Sequence, residues 1–340
     1  MDPRLFVCVC VCVHFIYQFN SFAVAQSVGV NYGMKGNNLP TADQVIALVK
    51  SKNITRIRLF DPNPDALKAL EGSGVETILG TLNEDLPKLG SDPSFATNWV
   101  NTNVVPHANS VVFRYVSAGN EVIPGDLAAN VLPAMKNLDS ALKAANLSIP
   151  VSTCVATQVL GVSYPPSQGA FSEGASSIMA PIAAYLEANK IPLLVNVYPY
   201  FAYAGSPNDV SLDYALFTAK DVVVRDGGLA YYNLFDAIVD SVYSALEKAS
   251  GPSVEVIVAE TGWPSAGNGN MTTISNAQTY NNNLISHLSQ SAGTPKRPGK
   301  DIETYMFAIF NENLKPAGTE QNFGLYQPNM TPVYPVNFSP

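Results

Sequence analysis

Eight short apolar runs alternate with longer helical patterns along this chain, and no other feature of the sequence constrains the fold as strongly. The runs are nearly continuous in Val, Ile, Leu, Phe and Tyr, which is typical of parallel strands that are covered on both faces. We therefore predict strands over residues 28–32, 56–60, 75–82, 111–119, 149–153, 192–200, 254–260 and 302–310.

The segments between these runs have apolar residues at helical spacing and carry helix start signals. Pro64 opens one of them, and proline suits the first turn of a helix. No change in composition and no Pro/Gly/Ser-rich linker divides the chain into two halves. Eight strand–helix repeats in one domain therefore favour a closed (β/α)8 TIM barrel over an open doubly wound sheet. We predict helices over residues 41–52, 64–70, 126–147, 176–189, 234–249 and 275–289.

The composition fits a globular protein and excludes some partners. The chain has 340 residues, 47% of them hydrophobic, so it can bury a large core. Its formal net charge of −8 repels phosphate backbones and anionic lipid surfaces. We therefore predict no nucleic-acid and no membrane partner, whereas a neutral substrate suits the charge. We expect the protein to be a monomer.

The N-terminus predicts a secretory signal peptide at 1–25, followed by a single barrel domain at 26–340. Arg4 precedes the apolar stretch FVCVCVCVHFIY, which only His14 interrupts, and the small residues AVA then predict cleavage before Gln26. The apolar stretch is short for a bilayer span, so a membrane anchor is the less favoured alternative. The mature chain is accordingly expected to be extracellular.

Several common chemistries have little support in the mature chain. Cys154 is its only cysteine, which rules out an internal disulfide, and it lies beside an apolar run that is typical of a packed thiol. His107 and His287 are its only histidines, which argues against a Ser-His-Asp triad and against a histidine metal site. We therefore predict no cofactor and no metal.

Two glutamates stand where predicted strands end. Glu121 follows the fourth strand and Glu260 ends the seventh, and active sites of such barrels form at the C-terminal ends of the strands. A lone glutamate in such a position is usually a surface charge or an ion-pair partner. Two that face each other across the barrel mouth supply the acid and the second carboxylate that glycosidic cleavage needs. Gly119 and Gly262 beside them are expected to leave room for a ligand.

Aromatic residues follow the same strand ends. They offer flat faces on which sugars can stack, although ordinary core packing explains each of them equally well. The aromatic residues in question are Tyr32, Tyr198, Phe201 and Trp263.

At these residues the sequence resembles glycoside hydrolase family 17, and within it the plant endo-1,3-β-glucanases. The resemblance covers essentially all of 26–338 and is strongest in the GNE and ETGWPS motifs. It implies a (β/α)8 barrel that cleaves β-1,3-glucans with retention of anomeric configuration and without a cofactor. The motifs occur in the order VNYGMKGNNLP, RLFDPN, GNEV, VNVYPYF, VAETGWPSAG, FNEN and QNFGLY.

The resemblance also assigns roles to individual residues. By it, Glu121 matches the proton donor, Glu260 the nucleophile, and Asn120 the residue that holds the sugar hydroxyl beside the reacting carbon. The chain departs from the usual family pattern at Phe60, where a tyrosine is common. Polar cleft residues are matched by Tyr32, Tyr198, Glu312 and Lys315, and Phe201, Trp263 and Phe323 are candidates for sugar stacking.

Retention adds three geometric and electrostatic expectations. The two carboxyl groups should lie about 5–5.5 Å apart, whereas a wider gap would favour inversion. The environment of Glu121 should raise its pKa so that it stays protonated. Tyr198 is expected to donate a hydrogen bond to Glu260.

The expected substrate is a β-1,3-glucan such as laminarin, callose or a fungal wall glucan, met in the cell wall space. Defence against fungal walls and remodelling of callose are both reasonable roles. Hydrolysis of mixed 1,3;1,4-β-glucan and transglycosylation are alternatives within enzymes. A non-catalytic glucan-binding wall protein is the alternative of a different class, and the presence of both glutamates argues against it.

Overall fold

Eight parallel strands close into a barrel in the computed structural model, which describes residues 28–338. Each strand pairs with its neighbours in the chain, and the first pairs with the last, which confirms the predicted (β/α)8 architecture. The predicted signal peptide and its cleavage site lie outside the described residues. The barrel strands are β1 Val28–Tyr32, β2 Arg56–Leu59, β3 Glu76–Gly80, β4 Val112–Asn120, β5 Val151–Ala156, β6 Leu193–Asn196, β7 Val256–Thr261 and β8 Thr304–Met306.

Helices surround the barrel, and their starts follow the sequence signals. Thr41 and Gln44 form a reciprocal capping box at the first helix, and the Asn63 side chain caps the helix that Pro64 opens. The helices are α1 Ala42–Ser51, α2 Pro64–Leu70, α3 Leu86–Ser91, α4 Pro93–Asn103, α5 Ala128–Ala144, α6 Glu173–Asn189, α7 Pro199–Gly205, α8 Leu212–Ala215, α9 Leu234–Lys248 and α10 Ile274–Ser289.

The strand predicted over 192–200 is wrong in its second half. β6 ends at Asn196, and α7 begins at Pro199, where a missing backbone N–H suits a first helical turn better than a sheet ladder. The predicted eighth strand is likewise too long, because only Thr304–Met306 pair in the barrel. The six predicted helices are all present, whereas the helices α3, α4, α7 and α8 were not predicted from the sequence.

Two features complete the interior of the barrel. An inner apolar layer lies within it and includes Ile78, Cys154 and Leu194. At the N-terminal ends of the strands, Arg114 pairs with Glu303 in an ion-pair network.

Within residues 28–338, no helix is both long enough and apolar enough to cross a membrane.

Candidate active site

A cleft of about 1230 Å³ opens at the C-terminal ends of the barrel strands. Strand ends and the loops that follow them supply its walls, as expected for this fold. Nine of the ten residues predicted for the site line it, namely Tyr32, Asn120, Glu121, Tyr198, Phe201, Glu260, Glu312, Lys315 and Phe323.

Glu260 is aimed at the barrel mouth and is only 6% exposed. The pairing of β7 with β6 shifts register between Val258 and Glu260, and such a bulge re-aims a strand-end side chain. Its Oε1 accepts from Arg58 Nη1 at 2.7 Å, and its Oε2 accepts from the Tyr198 hydroxyl at 2.7 Å. This donor set suits an ionised carboxylate.

Glu121 directly follows β4 in a left-handed backbone conformation, with φ of 57°, which is uncommon for a residue with a side chain. Its backbone N–H donates to Cys154 O at 2.9 Å, which ties this turn to β5. Desolvation raises the pKa of the Glu121 carboxyl, and the charge of Glu260 raises it further. Contacts with Asn196 and Arg58 oppose the shift without cancelling it.

One amide joins the two glutamates. Asn196 Nδ2 lies 2.7 Å from Glu121 Oε1 and 2.9 Å from Glu260 Oε1. The two carboxyl oxygens that share this donor are therefore closer together than the roughly 6.5–9.5 Å between the carboxyl groups of inverting hydrolases. Asn120 belongs to the same cluster, since its Oδ1 accepts from Arg58 Nη2 at 2.8 Å.

Glu312 and Lys315 form a charged part of the cleft wall. Glu312 Oε1 accepts from the backbone N–H of Lys35 at 2.7 Å, and Lys315 Nζ lies 3.7 Å from Glu312 Oε2. Gly33 leaves room for the Glu312 carboxylate to reach the backbone of Lys35, because a Cβ at position 33 would lie 2.3 Å from Glu312 Oε2. The Lys315 ammonium also lies 4.2 Å from the centre of the Phe307 ring.

Aromatic rings pack edge to face in a further part of the cleft wall. Tyr198 contacts Phe201 and Phe323 at centroid distances of 5.2 and 5.7 Å. Phe201 is 48% exposed and presents the most open ring of the three, whereas Phe323 is only 3% exposed. Burial, followed by the charge of Glu260, raises the pKa of Tyr198 well above its usual range, so its hydroxyl stays protonated and can donate.

The sequence profile of the family described as Glycosyl hydrolases family 17 matches residues 28–338. The chain belongs to this family. It is 52% identical over 322 residues to a protein of Vitis vinifera named glucan endo-1,3-beta-glucosidase, covering 93% of this chain and 92% of that protein.

Two solved structures have the same fold as this family 17 chain. One is CJP38, described as a beta-1,3-glucanase and allergen of Cryptomeria japonica pollen, with 48% identity, a TM-score of 0.89 and coverage of 92% of this chain and 99% of that one. The other is described as one of two plant beta-glucan endohydrolases with distinct substrate specificities. It has 47% identity, a TM-score of 0.88 and coverage of 91% of this chain and 99% of that one.

The prediction that Trp263 stacks on sugars is wrong for this family 17 chain. Trp263 has no exposed surface, its Nε1–H donates to Met271 O at 2.8 Å, and its ring packs between Tyr200 and Tyr280. Gly262 beside it does not make room for a ligand either. A Cβ at Gly262 would lie 2.3 Å from the Phe307 carbonyl oxygen, so the backbone that directly follows β8 fills that space.

Sequence reasoning missed two residues at the centre of the site. Arg58 and Asn196 each stand within a predicted strand, where a buried polar side chain has to find partners. That position was the available signal. Cys154 directly follows the strand predicted over 149–153, and the structure includes it in β5. Within the described range, no group of three or more His, Cys, Asp and Glu residues is arranged to hold a metal ion.

Proposed function

We propose that this family 17 chain hydrolyses internal 1,3-β-glucosidic linkages with retention, using Glu121 as acid/base and Glu260 as nucleophile. The observation that carries the proposal is the single Asn196 amide that contacts both carboxyl groups. Such close carboxyl groups leave no room for a water molecule between an inverting base and the sugar, and they suit a double displacement.

In the first step, Glu121 protonates the glycosidic oxygen while Glu260 attacks the anomeric carbon. The raised pKa of Glu121 keeps a proton available for the leaving group. Arg58 and Tyr198 hold Glu260 by hydrogen bonds on its two different oxygens, which fixes the attacking carboxylate in position.

In the second step, water releases the glycosyl–enzyme intermediate. Glu121 has given up its proton to the leaving oxygen, so it can now take one from the attacking water. As the sugar leaves Glu260, the carboxylate charge returns beside the Arg58 guanidinium, which is already in place to stabilise it.

The remaining cleft residues are proposed to bind the glucan chain. Asn120 is placed beside the carboxyl pair and is assigned to a sugar hydroxyl next to the reacting carbon. The exposed ring of Phe201 is assigned to sugar stacking, and Phe323 supports that ring rather than offering a large face of its own. Polar contacts to the glucan are assigned to Tyr32, Glu312 and Lys315.

Chemical rescue tests the roles of the two glutamates. With an activated β-glucan substrate and azide, a Glu121→Ala enzyme is expected to give the β-glycosyl azide, because azide replaces water on the glycosyl–enzyme. A Glu260→Ala enzyme is expected to give the α-glycosyl azide by a single displacement. The opposite stereochemistry for the two variants would reverse the assignment.

The substrate is tested by product analysis on linear 1,3-β-glucan and on mixed 1,3;1,4-β-glucan. Short oligosaccharides from laminarin at the earliest times would support endo-hydrolysis of 1,3 linkages, as the name of the Vitis relative suggests. Preferential cleavage of mixed-linkage glucan, or products longer than the substrate, would instead support the two enzymatic alternatives. Glucan binding without turnover would support a non-catalytic wall protein.

The predicted leader implies that the mature enzyme acts outside the cell, on callose-like or fungal wall glucan. Mass spectrometry of the N-terminal peptide of the protein from wall fluid is expected to show a start at Gln26 or its cyclised form. Retention of residues 1–25 in the isolated protein would contradict cleavage before Gln26, and absence of the protein from wall fluid would contradict secretion. Light scattering is expected to give the mass of one chain.

A further inference from the structure

Cys154 lies on β5, between the strands that position Glu121 and Asn196. Its backbone carbonyl accepts from the Glu121 N–H at 2.9 Å, and its Sγ lies 3.0 Å from Asn196 Oδ1. The side chain is fully buried in the inner apolar layer. One residue therefore contacts both the proposed acid/base and the amide that joins the two glutamates.

The orientation of the Asn196 side chain decides whether the glutamates meet a donor or an acceptor. As observed, Nδ2 faces Glu121 and Glu260, and Oδ1 faces Cys154. A half-turn of the amide would place Oδ1 against the Glu260 carboxylate, which as the proposed nucleophile is ionised and cannot donate to it. The carboxyl pair therefore depends on a donor that holds Oδ1 on the far side.

Two side chains in the described structure approach that oxygen, and the thiol is the closer. Arg58 Nη1 lies 3.5 Å from Asn196 Oδ1, but the same nitrogen lies 2.7 Å from Glu260 Oε1 and 3.2 Å from Ala259 O. Its two hydrogens are thus directed at nearer acceptors. Burial raises the pKa of the Cys154 thiol to about 12, so the thiol keeps the proton that it needs to donate.

We propose that Cys154 is a positioning residue, whose thiol donates to Asn196 Oδ1 and keeps Asn196 Nδ2 directed at Glu121 and Glu260. The inference rests on the proposed hydrolysis, because it gives Cys154 a role in holding that reaction's carboxyl pair. The competing explanation is that Cys154 only fills space in the inner layer, as Ile78 does.

Two substitutions separate these explanations. Cys154→Ser keeps a donor at nearly the same place, and Cys154→Ala removes it. We expect Cys154→Ala to lower kcat on laminarin about three- to tenfold, the effect of one lost neutral hydrogen bond, with KM unchanged because the thiol does not reach the cleft. Cys154→Ser is expected to restore kcat.

The pH profile gives a readout that loss of packing alone would not move. The Asn196 hydrogen bond lowers the pKa of Glu121, so a loosened amide moves the alkaline limb of kcat/KM to higher pH in Cys154→Ala. The other charged groups that act on Glu121 are Glu260, Arg58 and Glu320, and neither variant alters them. Cys154→Ser is expected to keep the wild-type limb.

Ile78→Val is the matched control, since it removes volume from the same inner layer without touching a polar group. It should keep both kcat and the pH profile. The proposal is overturned if Cys154→Ala has the wild-type kcat and pH profile, or if folded Cys154→Ser behaves like Cys154→Ala. Lack of wild-type activity on laminarin would count against the proposed function instead.

A spectroscopic test needs neither a variant nor activity. Cys154 is the only cysteine that follows Gln26, so the Raman S–H stretching band of the mature protein reports on it alone. The S–H stretching frequency of a thiol that donates to an amide oxygen is lower than that of an aliphatic thiol in a solvent without acceptors. We expect the S–H frequency of Cys154 to be lowered in this way. A band at the frequency of the free thiol would overturn the proposal.

Discussion

Arg58 Nη1 lies 2.7 Å from Glu260 Oε1, and both side chains are almost completely withdrawn from water. The other terminal nitrogen of the guanidinium donates to Asn120 Oδ1 at 2.8 Å. Two buried charges repay their loss of hydration only when they pair closely and gain further hydrogen bonds. The planar guanidinium meets that condition and connects the proposed nucleophile to a proposed sugar-binding side chain.

Replacing Arg58 by methionine would leave Glu260 buried without its cationic partner. Removing one member of a buried ion pair costs about 3–5 kcal/mol, and we expect a loss of this size in the unfolding free energy from urea titration. We also expect kcat on laminarin to fall by at least about a hundredfold, as when a preorganised donor is lost.

Arg114→Met is the matched control for Arg58→Met. It removes an arginine from the ion-pair network with Glu303 at the opposite end of the barrel, far from the cleft. It should destabilise the fold and keep kcat. An Arg58→Met enzyme with the kcat of the control would show that Arg58 serves stability alone.

The pKa of Glu121 is expected to set the alkaline limit of activity. Its carboxyl must be protonated to cleave the bond, so activity falls as the pH rises through its pKa. Desolvation and the charge of Glu260 raise that pKa, which places the limb of kcat/KM above the ordinary range of a glutamate. A limb at or below that range would contradict the assignment.

Glu320 offers a mild way to move this limb. Its charge contributes to the raised pKa of Glu121, although less than that of Glu260. We therefore expect Glu320→Gln to shift the alkaline limb of kcat/KM to lower pH, measured on laminarin at low and high salt. Glu84→Gln, at another part of the cleft, is the matched control and should leave the limb in place.

The strand pattern was sufficient to predict the barrel, and the GNE and ETGWPS motifs were sufficient to predict that Glu121 and Glu260 form a pair. Each strand is a local run of residues, and the C-terminal strand ends of a barrel always meet at one face. By contrast, the burial of Trp263 depends on its contacts with Tyr200 and Tyr280, which are far from one another along the chain. Local sequence cannot show that their rings close over the indole.

The polar cluster beneath the site was unpredictable for a related reason. Arg58, Cys154 and Asn196 stand on three different strands, and the residues next to each of them in the chain do not show that the three belong together. Their side chains contact one another only because the closed barrel turns them all inward. A buried polar residue signals that a partner exists, but the identity of the partner follows from strand register.

Trp263 and Phe201 are expected to give opposite results on substitution. Trp263→Ala removes a fully buried ring and its hydrogen bond, which should lower the unfolding free energy by about 3–5 kcal/mol. Trp263→Phe, which keeps most of the packing, is expected to retain the wild-type KM for laminarin. A large rise in KM for this variant, with its stability intact, would restore Trp263 as a sugar contact.

Phe201→Ala is expected to leave stability nearly unchanged, because the ring is 48% exposed. A stacked ring contributes roughly 0.5–1.5 kcal/mol, so KM for laminarin should rise about two- to tenfold. Steady-state kinetics and urea unfolding measure the two effects separately. A Phe201→Ala enzyme with unaltered KM would remove Phe201 from the proposed glucan-binding residues.

Asp240 is a buried carboxyl on α9 that does not line the cleft, and it offers a test of stability against pH. Its Oδ2 accepts from the Tyr231 hydroxyl and from the Lys296 backbone N–H, both at 2.9 Å. Burial nevertheless dominates and raises its pKa to about 6. The folded state therefore holds the proton more tightly than the unfolded chain does.

The sign of the effect follows from this raised pKa. Its contribution to stability is fully present below the unfolded pKa of about 4 and is lost as the pH rises through about 6, a change of roughly 3 kcal/mol in unfolding free energy. Asp240→Asn keeps an acceptor for Tyr231 and Lys296 and carries no charge, so urea titrations from pH 4 to 7 should show that loss in the wild type and not in the variant. Asp43→Asn, at an exposed carboxylate of α1, is the control and should follow the wild type. Parallel curves for wild type and Asp240→Asn would mean that Asp240 titrates normally in the folded protein.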